Sequence, residues 1–258
     1  MKKRILCLML AVAVMLTLCA CGAGGRYKVI KSVKELEYSI ALRNGDVTYH
    51  YIDAALKELS YDGTVDSLSA KWFGSSSAID FPKSKNAISK LGYIEQRTFT
   101  IGADPNSFPL CYESGGSYEG FDIELARAVC NKLGWQLIVQ PIQSVNAYVE
   151  LNSGNIDCAW GGVALDTEST DYTILSTYMD DELVIAARGN GKSFLTGGTL
   201  YVGPDQMYMD IINENPSIAN RVGQITRVSG TLSDYLAYLD KGECDFVIIT
   251  KNTVKYYR

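Results

Sequence analysis

Short apolar runs alternate with amphipathic stretches along most of this chain, and this alternation restricts the folds open to it. Thr98–Gly102 and Gln136–Gln140 read as strands. Between them, one face of a predicted helix carries an apolar residue at every fourth position: Phe121, Leu125, Val129 and Leu133. Gly134 follows as a helix stop. Strands and helices that alternate in this way are typical of α/β architecture.

The same alternation continues in two units that meet near residue 185. The first unit continues with a helix around 144–152, a strand at 156–160 and an extended run at 182–187. A glycine-rich break covers 189–198. The second unit then has strands at 200–203, 225–229 and 245–249, with helices at 205–215 and 232–239.

The first 21 residues have the features of a targeting segment and are set aside from the fold. Three basic residues at 2–4 precede an apolar run, Ile5–Ala20, that is short for a membrane-spanning helix. They predict a signal peptide over residues 1–20. Leu18-Cys-Ala-Cys21 resembles a bacterial lipobox, which predicts lipidation of Cys21 and a short tether over residues 21–25. An ordinary secretory signal with incidental cysteines is the alternative.

The net charge and the cysteines limit the classes of binding partner and of metal or redox site that the chain can have. Removal of the three basic residues in 1–20 lowers the formal charge from −5 to −8, which argues against nucleic acid or anionic lipid as a partner. No Cys-x-x-Cys pair suggests a zinc or redox site. Neighbouring apolar segments favour buried thiols over disulfides for the four cysteines beyond Cys21, which are Cys111, Cys130, Cys158 and Cys244.

Two blocks of sequence carry a family resemblance. One is Ile101-Gly-Ala-Asp-Pro-Asn-Ser-Phe-Pro109 with Gly120-Phe-Asp-Ile-Glu-Leu-Ala126, and the other is Glu150–Gly162. Both resemble the polar-amino-acid type, family 3, of the extracellular solute-binding proteins of bacterial ABC importers. Ser176-Thr-Tyr178 and Leu239–Ile249 extend the match. The resemblance implies an α/β, two-lobed, type II periplasmic-binding-protein fold with a hinge of two crossing strands.

The order of the matching pieces is rotated. Residues 37–74 resemble the carboxyl-terminal end of the family, although they precede its amino-terminal signature. A circularly permuted chain would explain this order, since termini can move wherever surface connections are dispensable. Strand Tyr38–Leu42 should then lie in the sheet of Thr98–Gly102, and Lys28–Ile30 should lie with the second lobe. A leftover fragment of an upstream duplicate is the alternative.

The permuted arrangement gives explicit boundaries. Lobe 1 is expected over residues 37–182, and within it residues 75–97 are a linker that joins the old termini. Lobe 2 is expected over 26–36 and 184–258. A solute that touches both lobes would shift the hinge toward a closed form.

The resemblance also implies a ligand site in the cleft, at strand carboxyl ends and helix amino termini. Asp104 is expected either to meet a ligand side chain or to cap its loop. The family has an aromatic at the position of Ser107, so either Phe108 replaces it or its contact with the ligand is lost. Trp160 is expected to form a pocket wall or part of the core. The full set of predicted ligand-binding residues is Asp104, Ser107, Phe108, Trp160, Gly161, Gly162, Ala164, Ser169, Gln206 and Thr250.

The charged groups that hold an α-amino acid in the family are not at their expected places. The Ser or Thr and the Arg that bind the α-carboxylate fall on Ala164 and Ser169, and the aspartate that binds the α-ammonium falls on Thr250. The start of the lobe 2 helix falls near Gln206. Each lost charge-assisted contact costs on the order of 1.5–3 kcal/mol, or roughly ten- to a hundredfold in affinity.

These features predict an exported, monomeric solute-binding protein, held by lipid at the outer face of the cytoplasmic membrane. Its expected partners are an amino-acid-like solute and the permease of an ABC importer, without cofactor, metal or nucleic acid. A degenerate module for sensing or interaction is one alternative. A dehydratase-like enzyme is another, but His50 lies on the polar side of its helix, and nothing in the sequence pairs with Asp104 or Asp166.

Overall fold

The structure is a computed structural model that describes residues 25–257. The predicted signal peptide, the lipidation site Cys21 and all but the last residue of the tether lie outside the described residues. Within residues 25–257, no helix is both long enough and apolar enough to cross a membrane.

The protein is built on one eight-stranded mixed sheet with the strand order β5-β2-β6-β1-β7-β10-β8-β9, and a separate hairpin of β3 and β4. The strands are β1 (Tyr27–Leu42), β2 (Thr98–Ala103), β3 (Tyr112–Ser114), β4 (Ser117–Glu119), β5 (Gln136–Pro141), β6 (Cys158–Ala159), β7 (Thr173–Arg188), β8 (Thr199–Val202), β9 (Gln224–Arg227) and β10 (Phe246–Thr250). The helices are α1 (Thr48–Tyr61), α2 (Thr64–Phe73), α3 (Phe121–Leu133), α4 (Ala147–Ser153), α5 (Gln206–Asn213), α6 (Pro216–Ala219), α7 (Leu232–Lys241) and α8 (Lys251–Tyr256). The chain is therefore α/β, as the sequence pattern predicts.

Two long antiparallel strands form the centre of the sheet. β1 and β7 have 16 residues each and pair from Tyr27 opposite Arg188 to Leu42 opposite Thr173. On one flank, called here the β5 side, β2 runs parallel to β5 and β6. On the other, the β9 side, β8 runs parallel to β9 and β10. Two α/β units thus share two continuous strands.

The β1 strand reaches both sides. Ala41 pairs with Ala159 of β6, and β6 pairs with β2, so Tyr38–Leu42 lies in the sheet of Thr98–Ala103. At the other end, Arg26 bonds through its amide to the Tyr257 carbonyl (3.3 Å), and the Tyr27 hydroxyl donates to Asp240 (3.0 Å). The strand therefore extends from the β5 side to residues near the end of the described chain.

Helix boundaries follow the local sequence. The four apolar positions of α3 are buried, and Gly134 ends the helix in the left-handed region at φ 73°. On the β9 side, Thr231 and Asp234 form a reciprocal capping box at the start of α7. Leu236 and Leu239 are buried on this helix. Burial of each such leucine contributes about 1.5–3 kcal/mol.

Residues 75–97, the predicted linker, lie against the β5 side with one short 3-10 turn at Ile88–Lys90. Ile79 and Phe81 are buried. The Ile88 amide donates to Glu58 (2.9 Å), and the Trp135 indole donates to the Glu95 carbonyl (3.0 Å). Apolar anchors and hydrogen bonds thus hold the segment on the surface.

Several predicted elements differ in detail. The strand at 156–160 contains only Cys158 and Ala159. The helix predicted at 205–215 spans Gln206–Asn213, and a separate short helix, Pro216–Ala219, follows it with proline in its first turn. The run at 182–187 is part of the longer β7. The β3–β4 hairpin and α8 were not predicted. All four cysteines of the described chain are free and buried, as the sequence favoured.

Candidate functional site

A cavity of about 430 Å³ lies between the β5 side and the β9 side, with β1 along its floor. Its loops follow the carboxyl ends of parallel strands, where such sheets leave polar groups free for a ligand. The β5 side contributes Asp104, Asn106, Ser107, Gln143, Ser144, Val145, Ala147, Tyr148, Ala164, Leu165, Asp166 and Tyr172. The central strands contribute Lys34, Glu35, Leu36, Glu37, Tyr38 and Leu183, and the β9 side contributes Asp205, Met207, Tyr208 and Thr250.

Asp104 follows β2 directly and is held by the loop around it. Its Oδ1 accepts from the Asn106 amide (3.1 Å) and its Oδ2 from the Ser144 hydroxyl (3.0 Å). Burial raises the pKa of the Asp104 carboxyl, and these hydrogen bonds oppose the rise. The Ser144 oxygen also accepts from the Ala164 amide (3.2 Å), so one hydroxyl joins the three loops of the β5 side.

Hydrogen bonds join the β5 side to the β9 side at two places. The Gln143 side-chain amide donates to Asp205 Oδ1 at 2.6 Å. The hydroxyls of Thr250 and Thr253 both donate to the Phe108 carbonyl, at 3.2 Å and 3.0 Å. The structure therefore shows the two sides in contact around the cavity.

A buried polar cluster behind the cavity fixes the shape of the loop after β6. Asp122 is fully buried, and its Oδ2 accepts from the Gly162 amide (2.7 Å) and from the Tyr178 hydroxyl. Burial raises the pKa of Asp122 to about 7, against the lowering effect of these bonds and of the Trp160 indole. This aspartate supports the site from behind and does not line the cavity.

The glycines of this loop allow a close backbone approach. Gly161 and Gly162 have φ of 131° and 68°, and a Cβ on them would come within 2.4 Å of Ala103 Cβ and 2.3 Å of Ser107 Cβ. A side chain at either position would force β2 and the loop apart. Both glycines therefore allow the loop after β6 to pack closely against Ala103 and Ser107.

The predicted site residues divide into two groups. Asp104, Ser107, Ala164 and Thr250 line the cavity. The other six, Phe108, Trp160, Gly161, Gly162, Ser169 and Gln206, lie outside its lining. The alternatives for Trp160 were a pocket wall or the core, and the structure buries it fully. Phe108 packs edge-on against Tyr256 and stacks on Tyr257, and Gln206 lines an adjoining cavity of about 620 Å³.

Several lining residues were missed by sequence reasoning. Gln143 and Ser144 follow the carboxyl end of β5, and the rule that ligand loops follow such strands would have found them. Tyr38 and Glu37 belong to β1, where only a continuous central strand brings them to the cavity floor. Tyr208 lies in the first turn of α5.

The remaining titratable residues include one histidine. His50 is exposed on α1, as predicted. Among residues 25–257 no group of three or more histidine, cysteine or acidic side chains could hold a metal ion.

Residues 99–225 match the model of the bacterial extracellular solute-binding proteins, family 3. The chain thus resembles that family, as the motifs predicted, and the matched family consists of binding proteins rather than enzymes. Residues before 99 fall outside the match, although β1 lies at the centre of the sheet. No curated protein matches the chain.

Solved structures of similar proteins include two from streptococci. A polar amino acid ABC uptake transporter substrate-binding protein from Streptococcus thermophilus is 27% identical with a TM-score of 0.39, over 59% of this chain and 61% of its own. An ABC uptake transporter substrate-binding protein from Streptococcus pneumoniae with bound histidine is 25% identical with a TM-score of 0.43, over 62% and 68%. The chain therefore spans about three fifths of the length of the first.

Proposed function

We propose that this chain is the extracellular solute-binding protein of an ABC importer and that it holds an amino-acid-like small solute in the cavity. The observation that carries the proposal is a cavity placed between two α/β units that share two continuous strands, in a chain whose residues 99–225 match a family of solute-binding proteins. A solute there touches loops from both units. Its partner is the permease of the importer.

Closure about β1 and β7 is the proposed mechanism. The β1–β7 ladder has four register shifts, between Val29 and Lys31, Ser32 and Lys34, Tyr38 and Ser39, and Ile40 and Ala41. Such irregularities interrupt the ladder and bend the strand locally. A solute that contacts both sides favours the form in which they meet, because only that form offers all of its contacts.

We further propose the predicted division into lobes and the permuted order. Lobe 1 is residues 37–182, with 75–97 as the connection between the old termini, and lobe 2 is 26–36 with 184–258. Support comes from the place of β1, which pairs with β6 at one end and reaches Tyr257 at the other. The family match that begins only at residue 99 also fits this order.

Export and lipid attachment complete the proposal. The signal peptide at 1–20 and the lipobox at Cys21 would place the protein at the outer face of the cytoplasmic membrane. Metabolic labelling with a palmitate analogue tests this step. Label is expected on the wild type and not on Cys21→Ser, while the leader still directs export of both.

Ligand binding is tested by thermal unfolding of the purified protein against amino acids, short peptides and amines. A ligand at one hundred times its Kd is expected to stabilise by about 2.7 kcal/mol. Asp80→Asn, on the surface segment, is the matched control for substitutions of cavity carboxylates. Absence of any shift across these classes would remove solute binding from the proposal.

A sensing or interaction module is the second candidate, and one observation favours it. Ser169 lies outside the cavity lining, and the Thr250 hydroxyl is already bonded to the Phe108 carbonyl, so neither position replaces the charged groups of the family. Affinity capture from the cell membrane distinguishes the two: an importer permease supports transport, whereas a sensor kinase supports the second candidate.

A further inference from the structure

We infer that the cavity takes an organic cation, an amine or guanidinium compound that carries no carboxylate. The inference rests on the proposed function of solute binding and specifies its ligand class. Its basis is an excess of unpaired carboxylates around the cavity, acceptor groups on its floor and aromatic walls, without a buried cation to receive an acid group.

The first observation is the charge of the lining. It carries five acids, Glu35, Glu37, Asp104, Asp166 and Asp205, and one base, Lys34. None of the five takes part in an ion pair within the described part of the chain. The hydrogen bonds to their carboxylates come from neutral donors. Backbone amides donate from Asn106 to Asp104 and from Glu168 to Asp166, and side chains donate from Ser144 to Asp104, from Gln143 to Asp205 and from Thr167 to Glu37. Their negative charge is therefore left for a ligand to neutralise.

The second observation is that these acids act on one another across the cavity. Asp104 is on the β5 side and Asp205 on the β9 side, and repulsion from Asp205 adds to burial in raising the pKa of Asp104. Burial raises the pKa of Tyr208, another lining residue, and both carboxylates add to the rise. A cation placed between the two sides would relieve this repulsion and reward closure.

The third observation concerns the cavity floor. Tyr38 is 2% exposed and lines the cavity, with Ser107 beside its phenol. The Ser107 proton is donated to the Gly162 carbonyl at 2.6 Å, so it is not available to the phenol oxygen. The phenol oxygen can therefore accept a hydrogen bond from an N–H donor of a ligand in the cavity.

Aromatic rings add to this preference. Tyr148, Tyr172 and Tyr208 also line the cavity, and the Tyr172 hydroxyl donates to the Asp166 backbone carbonyl at 2.8 Å. Phenol rings attract ammonium and guanidinium groups by about 0.5–2 kcal/mol. Neutral aromatic walls beside carboxylates are typical of sites for organic cations.

A carboxylate, by contrast, finds no buried cation. Lys34 is exposed at the edge of the cavity and is the only basic residue of its lining. The adjoining cavity shares Lys34 and Asp205 and adds Asp210 and Glu214. The acidic surface thus continues outward, which favours a solute with a second cationic group.

Amino acids and their decarboxylated counterparts give a matched test. Calorimetric titration of the full chain would compare agmatine with arginine, cadaverine with lysine, and tyramine with tyrosine. We expect at least one amine to bind tenfold or more tightly than its amino acid. An amino acid that binds as tightly as its amine, or more tightly, overturns the inference while solute binding stands. If no compound of either class binds, the proposed function fails as well.

Variants locate the effect. Asp104→Asn keeps an acceptor for the Asn106 amide and is expected to weaken the amine by ten- to a hundredfold, whereas Asp80→Asn is the surface control. Lys34→Ala is expected to tighten amine binding by removing a like charge. If Asp104→Asn fails to fold, Glu37→Gln on the cavity floor provides the same comparison. Unchanged amine affinity in a folded Asp104→Asn or Glu37→Gln variant would refute the assignment.

Discussion

The buried carboxyl of Asp122 leads to a prediction about pH that needs no ligand. Asp122 is inaccessible to solvent, and its pKa is about 7 in the folded protein. In the unfolded chain an aspartate titrates near 3.9. The folded state therefore holds the proton more tightly than the unfolded state does. The stability that this group contributes is fully present below about pH 4 and is lost as pH rises toward 7.

The size of the effect follows from the shift. Each unit of difference between the two pKa values is worth about 1.36 kcal/mol, so a shift of about three units corresponds to about 4 kcal/mol in total. Most of this falls between about pH 4 and pH 7. Burial has the largest influence on the pKa, since the bonds from Tyr178 and Gly162 act in the opposite direction.

Urea unfolding of the wild type and of Asp122→Asn across pH 4.5 to 8 measures the contribution directly. Asparagine retains an acceptor for the Gly162 amide and cannot titrate. The free energy of unfolding of the wild type, minus that of the variant, should fall by about 3 kcal/mol from pH 4.5 to pH 8. Other acids, such as Asp46 and Asp234 with lowered pKa values, contribute to both proteins and cancel in the difference. A difference that stays constant with pH would refute the reasoning.

Three further predictions test the loop, the core and the thiols. Gly162→Ala places a Cβ against Ser107 and should lower the free energy of unfolding, measured with urea, by about 1–3 kcal/mol. The control is Gly45→Ala, which has a similar positive φ of 75° but no neighbour within 4 Å and should lower it by about 1 kcal/mol. Equal losses in the two variants would contradict the steric argument. Leu239→Ala, at a fully buried position of α7, should cost about 2–5 kcal/mol, whereas an exposed control, Val47→Ala, should change stability by less than about 0.5 kcal/mol. The buried cysteines should react with a thiol reagent only after unfolding, and rapid labelling of the native protein would contradict their burial. They are Cys111, Cys130, Cys158 and Cys244.

Local sequence signals predicted the elements whose structure depends on residues close together in the chain. The four-residue apolar period and Gly134 define α3 almost to the residue, because its burial face and its stop signal are both local. The β1 strand was predicted only as two pieces, at Lys28–Ile30 and Tyr38–Leu42. The residues between them are mostly polar, because this stretch runs along the cavity and is largely exposed to solvent. Its strand structure depends on pairing with β7.

The site shows the same division. Asp104 was predicted because it follows a recognisable strand and motif. Tyr38 and Glu37 were not, because only the long-range pairing of β1 brings them to the cavity. Trp160 was ambiguous because a strand end next to two glycines is equally consistent with a wall and a core, and its complete burial beside Asp122 decides for the core.

The place of β1 also separates two ways in which substitutions should act. Its ladder with β7 makes the floor of the cavity part of the sheet that both sides share, so a change at Tyr38 should alter folding stability. The walls come from loops after β2, β5, β6 and β8, whose residues are held by a few side-chain bonds such as Ser144 to Asp104. Wall substitutions such as Asp104→Asn therefore leave the ladder intact. The walls can therefore change by substitution while the shared strands stay the same.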